Sequence, residues 1–93
     1  MSLNKEIEAG RQAEYLLEHP VYQQAFSTLR SEIAQQWASS PSRDAEGREK
    51  LWVMLKLLDR IEGHIKSIAE TGKMAKKQLS DIEERRNFMG VSL

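Results

Sequence analysis

Apolar and small residues recur along the second half of the chain at alternating steps of three and four. We call this series the heptad seam; it comprises Leu51, Met54, Leu58, Ile61, Ile65, Ile68, Gly72, Ala75, Leu79 and Ile82. Such spacing places all its members along one edge of a helix and is typical of a coiled-coil contact. The pattern predicts a long helix over about 44–87, with Asp44 or Ser42 as its N-cap.

A break at Thr71-Gly72 is the alternative, because glycine can end a helix and leave a separate last helix over about 74–87. The seam keeps its phase through Gly72, which favours one continuous helix. Residues 88–93 show no period, and we expect them to form a loose tail.

Two shorter helices are predicted upstream. The first spans 3–18, with Ser2 or Asn4 as its cap, and ends at His19-Pro20, because a residue before proline avoids the helical region. The second spans 20–38. Its apolar stripe is Val21, Tyr22, Ala25, Phe26, Leu29, Ile33 and Trp37. The loop over 39–43 is short, so the second and third helices should be antiparallel neighbours.

These elements predict an all-α fold: an antiparallel helical hairpin or three-helix arrangement, in one domain over residues 1–93. The first half of the long helix should lie in an intrachain core that includes Trp52 and Leu57, with Trp37 at the same end as Trp52. From Ala69 onward the seam has no partner within the chain unless the first helix reaches it, and an uncovered seam favours an oligomeric coiled coil or bundle. The predicted oligomer interface is Ile65, Ile68, Gly72, Ala75, Leu79 and Ile82.

Composition excludes some classes of function. Fourteen basic and fourteen acidic residues give no net charge, so the whole chain is not attracted to nucleic acid or to anionic membranes. The absence of cysteine excludes disulfides and thiolate metal sites. No apolar run approaches the ~20 residues of a membrane span, and no secretory signal is visible. We expect a cytoplasmic protein, or a virion-associated one if it is phage-encoded.

Catalytic chemistry finds little support in the sequence. His64 has no second histidine four residues away, and His19 precedes a proline at a helix junction, where capping or surface exposure is the simplest role. The paired carboxylates, such as Asp59 with Glu62, have lysines and arginines nearby that offer ordinary ion pairs. We therefore predict no catalytic, metal or cofactor-binding residue, no enzymatic activity and no small-molecule substrate.

Cations in the last third of the chain are the one feature that fits phosphate contacts. This basic cluster comprises Lys73, Lys76, Lys77, Arg85 and Arg86. Asp81, Glu83 and Glu84 lie among them, and such mixing is typical of the solvated flank of a coiled coil. DNA binding on a basic face of an oligomer is thus the alternative function, beside self-association or contact with a protein encoded nearby.

Two segments resemble small helical proteins of tailed bacteriophages and prophages, of the packaging or head-morphogenesis accessory type. The first segment is Arg43-Asp44-Ala45-Glu46-Gly47-Arg48-Glu49-Lys50-Leu51-Trp52, and the second is Thr71-Gly72-Lys73-Met74-Ala75. The resemblance covers about two-thirds of the chain and implies an accessory, multimeric, non-enzymatic protein. It carries no chemical signature, so it assigns no functional residue.

Overall fold

Three α-helices make up the computed structural model, which describes residues 2–91, with only the backbone for 89–91. They are α1 (Leu3–Glu18), α2 (Pro20–Ser39) and α3 (Ala45–Val91). Within the described residues there is no strand, which confirms the predicted all-α class. None of these helices is both long enough and apolar enough to cross a membrane.

The long helix α3 runs through Gly72 without interruption, so the alternative of a break at Thr71-Gly72 is wrong. Its 47 residues correspond to a length of about 70 Å. The prediction of a loose tail is wrong for residues 88–91, which continue α3; residues 92 and 93 lie outside the described residues. Helical hydrogen bonds are local, and these four residues include no proline, so the helix can continue without an apolar pattern to direct it.

Side-chain caps fix the start of each helix. Ser2 Oγ accepts from the Lys5 N–H at 3.3 Å, and His19 Nδ1 accepts from the Val21 N–H at 3.2 Å. Pro20 follows as the first residue of α2, where its missing N–H is not needed. Asp44 Oδ1 accepts from the Gly47 N–H at 3.1 Å and caps α3. The predicted capping role of His19 is therefore confirmed.

The chain divides into two compact units. Unit 1 joins α1 up to Tyr15 with α3 from Ile65 onward. Unit 2 spans Leu16–His64 and contains α2 with the first part of α3. The prediction of a single domain stays a prediction.

The helices of unit 1 pack together through glycine and alanine, the smallest residues in the chain. A Cβ atom added to Gly10 of α1 would lie 2.6 Å from the Cα atom of Gly72 in α3, so the two backbones touch where the helices cross. Ala13, Ala69 and Ala75 are buried around this crossing. The first helix thus contacts the second half of the heptad seam. This is the one intrachain contact that the sequence allowed for that half.

Unit 2 is an antiparallel pair of helices. Arg48 near the start of α3 bonds to Trp37 at the end of α2, while Arg30 further back in α2 bonds to Asp59 and Glu62 further along α3. This order of contacts requires opposite helix directions, as the short loop predicts.

The core of unit 2 is thin. Among its large apolar residues only Ile33 is buried, and Leu51, Leu55 and Leu58 are half-buried. Trp52 and Leu57 are more than half exposed, so their predicted place in the core is wrong. A single helix, α2, covers only one side of α3 in this unit, and it leaves the rest of a widely apolar surface outside.

Candidate interaction surface

The two sides of the α2–α3 hairpin differ in chemistry. An α-helix turns about 100° per residue, so neighbouring residues point in different directions. Arg30 and Glu62 meet on one side of the hairpin, and the residues that precede them, Leu29 and Ile61, point to the other side. Because α2 and α3 are antiparallel, moving back by one residue on each helix turns both side chains toward the same side of the pair. Leu29 and Ile61 therefore lie on a common side, opposite Arg30 and Glu62. The hairpin therefore has a polar face and an apolar face.

Arg30 organises the polar face. Its guanidinium lies 3.1 Å from an Asp59 carboxylate oxygen and 3.3 Å from a Glu62 oxygen, and its side chain is one-third exposed. The guanidinium also lies 6.0 Å from the Phe26 ring centroid. Charge-assisted bonds to two carboxylates fix both the register and the facing sides of α2 and α3.

Arg48 holds the two helices together at the turn end of the hairpin. Its Nη1 donates to the Trp37 carbonyl at 3.1 Å, to the Ser40 carbonyl at 3.1 Å and to Ser40 Oγ at 3.0 Å. Its guanidinium lies 3.7 Å from the centroid of the Trp37 ring. These contacts satisfy carbonyls that the end of α2 leaves without helical partners, and they make the hairpin's turn end well defined.

The other side is what we call the open apolar face. It comprises Leu29 of α2 with Met54, Leu57 and Ile61 of α3. Each of these side chains is between 43% and 53% exposed. Since Met54, Leu57 and Ile61 are spaced by three and four, they form a continuous stripe along α3, and Leu29 lies on the same side of α2. The fixed hairpin thus presents a strip of large apolar groups to its surroundings.

Charged and polar residues lie at the edges of the open apolar face. The only charged residues of α2 are Arg30 and Glu32, and Arg30 belongs to the polar face. Glu32, exposed, lies three residues beyond Leu29 on the same edge of α2. On α3 the exposed Lys50 and His64 extend the stripe at its two ends, and Lys50 pairs with Glu46 at 3.6 Å. The strip is therefore apolar along its centre and charged at its edges, as protein–protein interfaces are.

A small cleft in unit 1 borders the glycine crossing. Its volume is about 120 Å³, and it is open to solvent. It is lined by Ile7, Gly10, Arg11, Glu14, Ala69, Gly72, Lys73 and Lys76. The cleft arises because two glycines leave space beside a close backbone contact, and it is smaller than the pockets that hold most organic ligands.

The predicted interface residues lie in unit 1 with different degrees of exposure. Gly72 is buried against Gly10 of α1, and Ala75 is fully buried, so in this fold they offer no surface to a second chain, and that part of the prediction needs correction. Ile65, Ile68 and Leu79 are half-buried. Ile82, 52% exposed, is the member that is most open.

The basic cluster lies on exposed positions of α3 and is partly neutralised. Lys73 Nζ is 3.6 Å from a Glu14 carboxylate oxygen and 3.5 Å from a Glu70 oxygen. The negative charges of Glu70 and Glu14 raise the pKa of Lys73 above its usual value. Lysine therefore stays charged there, but its charge is already shared with two carboxylates.

Other candidates for chemistry have structural roles or lie exposed. Glu62, predicted to pair with a lysine on its own helix, also bonds Arg30 of α2. Among residues 2–91, no three His, Asp or Glu side chains come together in a way that could hold a metal ion. The histidines lie apart, with His19 in the α1–α2 junction and His64 exposed on α3.

Sequence reasoning missed the open apolar face because it placed Met54 and Ile61 on the inward edge of α3. The structure turns Leu55 and Glu62 inward instead. One signal could have revealed this rotation: Arg30 is the only cation of α2, and it needs an acidic partner on α3. No protein-family model, curated protein or solved structure matches the chain.

Proposed function

We propose that this protein is a non-enzymatic, homo-oligomeric helical protein with a structural or interaction role. The observation that carries the proposal is how little apolar surface one chain buries. Among residues 2–88, the buried apolar residues are Ala13, Ile33, Ala69 and Ala75, and no large side chain is fully buried. Large exposed apolar patches on a folded chain mark contacts with other proteins.

The exposed area supports the same proposal. One chain has an accessible surface of 7636 Å². A compact monomer of 10.7 kDa exposes about 5500 Å², so this chain exposes roughly 2100 Å² more. A standard protein–protein interface buries about 800 Å² on each partner. The surplus is enough for a stable contact with another chain.

An accessory role among phage or prophage proteins is part of this proposal, and it rests on the resemblance of Arg43–Trp52 and Thr71–Ala75 to such proteins. A multimeric accessory protein needs defined surfaces rather than a reactive site. The Arg30 and Arg48 contacts supply the rigidity that a defined surface needs.

Nucleic-acid binding by the basic cluster is the second candidate, and it has less support. Lys73, the first residue of the basic cluster, is already paired with Glu14 and Glu70. If the oligomer did use this cluster on DNA, its affinity would fall steeply with salt, because each neutralised phosphate releases a counterion. A fluorescence-anisotropy titration of a labelled duplex over a salt series measures that slope.

The oligomer proposal is tested by unfolding the full-length chain over a hundredfold range of protein concentration. When association contributes to stability, Tm rises with concentration. We expect Tm to rise with protein concentration when unfolding is monitored by circular dichroism at 222 nm. A Tm that stays constant over the whole range would contradict the proposal.

A further inference from the structure

We propose that the open apolar face of the α2–α3 hairpin is the docking site for the same face of a second copy of this chain. This inference rests on the proposed oligomeric function and names its surface and partner. Leu29, Met54, Leu57 and Ile61 would meet their counterparts, and two hairpins would form a four-helix bundle.

A second copy fits this face better than an unrelated partner for two reasons. The hairpin has one apolar side and one side closed by the Arg30 and Arg48 contacts, so two apolar sides together complete a core with the hairpin's own charges outside. The chain as a whole also exposes roughly 2100 Å² beyond a compact monomer, which exceeds the about 800 Å² per chain that a dimer contact needs.

Glu32 selects between two ways of stacking the hairpins about a two-fold axis. If α2 lay on α2 of the partner, the two copies of Glu32 would approach each other near the middle of the contact, and like charges repel. If α2 lies on α3 of the partner, Glu32 faces a stripe without acidic residues at Met54, Leu57 and Ile61. The geometry therefore has α2 of each copy against α3 of the other, antiparallel.

The first test is a matched pair of charge substitutions in α3. Leu57→Glu places a carboxylate in the middle of the face, while Trp52→Glu makes the same kind of change about 140° round the helix at a residue of similar exposure. Sedimentation equilibrium should show that Leu57→Glu raises the dimer dissociation constant about 100-fold or more, because it buries an unpaired charge. Trp52→Glu should leave the dissociation constant unchanged. Equal weakening by both variants, or by neither, would overturn the proposal.

A second test does not depend on how well Leu57→Glu folds. The chain has no cysteine, so each introduced thiol is unique. Copies carrying Leu29→Cys are mixed with copies carrying Ile61→Cys and oxidised, and every disulfide between the two variants is intermolecular. We expect this heterodimer to form in preference to either homodimer. As the control, mixing Leu29→Cys with Trp52→Cys should give no preferred heterodimer.

The outcomes separate the two proposals. If the wild-type chain is a dimer but the Leu29→Cys and Ile61→Cys copies do not cross-link, the oligomer proposal stands and this surface is wrong. Preferential cross-linking of Leu29→Cys with Trp52→Cys would also overturn the surface. If the wild-type chain is a monomer at micromolar concentration, both proposals fall.

Discussion

The glycine crossing of unit 1 and the hairpin of unit 2 bring helices together in opposite ways. At Gly10 and Gly72 two backbones touch, and the buried neighbours are alanines. The contact is therefore tight and leaves no space between the helices for a larger side chain. In unit 2 the helices carry large side chains but only Ile33 is buried. Small residues complete a helix contact within one chain, whereas large residues on a two-helix hairpin need a further layer to cover them.

Ile33→Ala should cause the largest loss in the free energy of unfolding. It removes the one large buried side chain of unit 2, and the remaining half-buried leucines cannot close the gap. We expect a loss of about 2–4 kcal/mol in the free energy of unfolding, measured by urea denaturation at fixed protein concentration. A loss below about 1 kcal/mol would mean that unit 2 does not depend on its small core.

The glycine crossing can be broken by one methyl group. Gly72→Ala should destabilise the chain by about 1–2 kcal/mol, because the added Cβ would lie 2.6 Å from the Gly10 Cα and the helices must separate. The control is Gly63→Ala on the same helix, where an added Cβ meets no atom within 4 Å. There the higher helix propensity of alanine should stabilise by up to about 1 kcal/mol. A stabilising effect of both substitutions would show that the crossing is not tight in solution.

The polar face of the hairpin can be compared with an ordinary surface ion pair. A double-mutant cycle on Arg30 and Glu62 should give a coupling energy of about 0.5–1.5 kcal/mol, since this pair is partly buried and joins two helices. The same cycle on Glu46 and Lys50, an exposed i, i+4 pair, should give about 0.5 kcal/mol or less. Equal couplings would remove the role of Arg30 in setting the hairpin's register.

Ile82→Glu should have the smallest effect of these substitutions, because it should leave the oligomer intact. Ile82 is the most open residue of the interface that the sequence predicts, yet it lies in unit 1, away from the hairpin face in the sequence of α3. We expect no change in the molar mass of the oligomer by light scattering. If Ile82→Glu dissociates the oligomer and Leu57→Glu does not, the contact lies on the second half of the seam instead.

Much of the fold could be predicted because its signals are local. His19-Pro20, Asp44 and the three-and-four spacing set where helices begin and how they continue. The rotation of α3 could not be predicted from apolarity, because Ile61 is more apolar than Glu62 and yet Glu62 faces α2. An ion pair with Arg30 decides that rotation, and it depends on a residue about thirty positions away.

The contact between Gly10 and Gly72 shows a similar limit for the candidate site. From the sequence, Gly10 and Gly72 each indicate a local loss of helix stability. Only the pairing of α1 with α3 gives these two residues a packing role. This pairing covers Gly72, and Ala75 is buried as well, so these two members of the predicted interface offer no surface to a second chain. The site follows from which helix covers which, and that information is not local.

Molar mass in solution tests the central claim, that one chain leaves its apolar surface for another copy to cover. Size-exclusion chromatography with multi-angle light scattering, on the full chain at micromolar concentration, should give about 21 kDa, twice the 10.7 kDa of one chain. A single species of 10.7 kDa that retains its helical circular dichroism and unfolds cooperatively would contradict the claim.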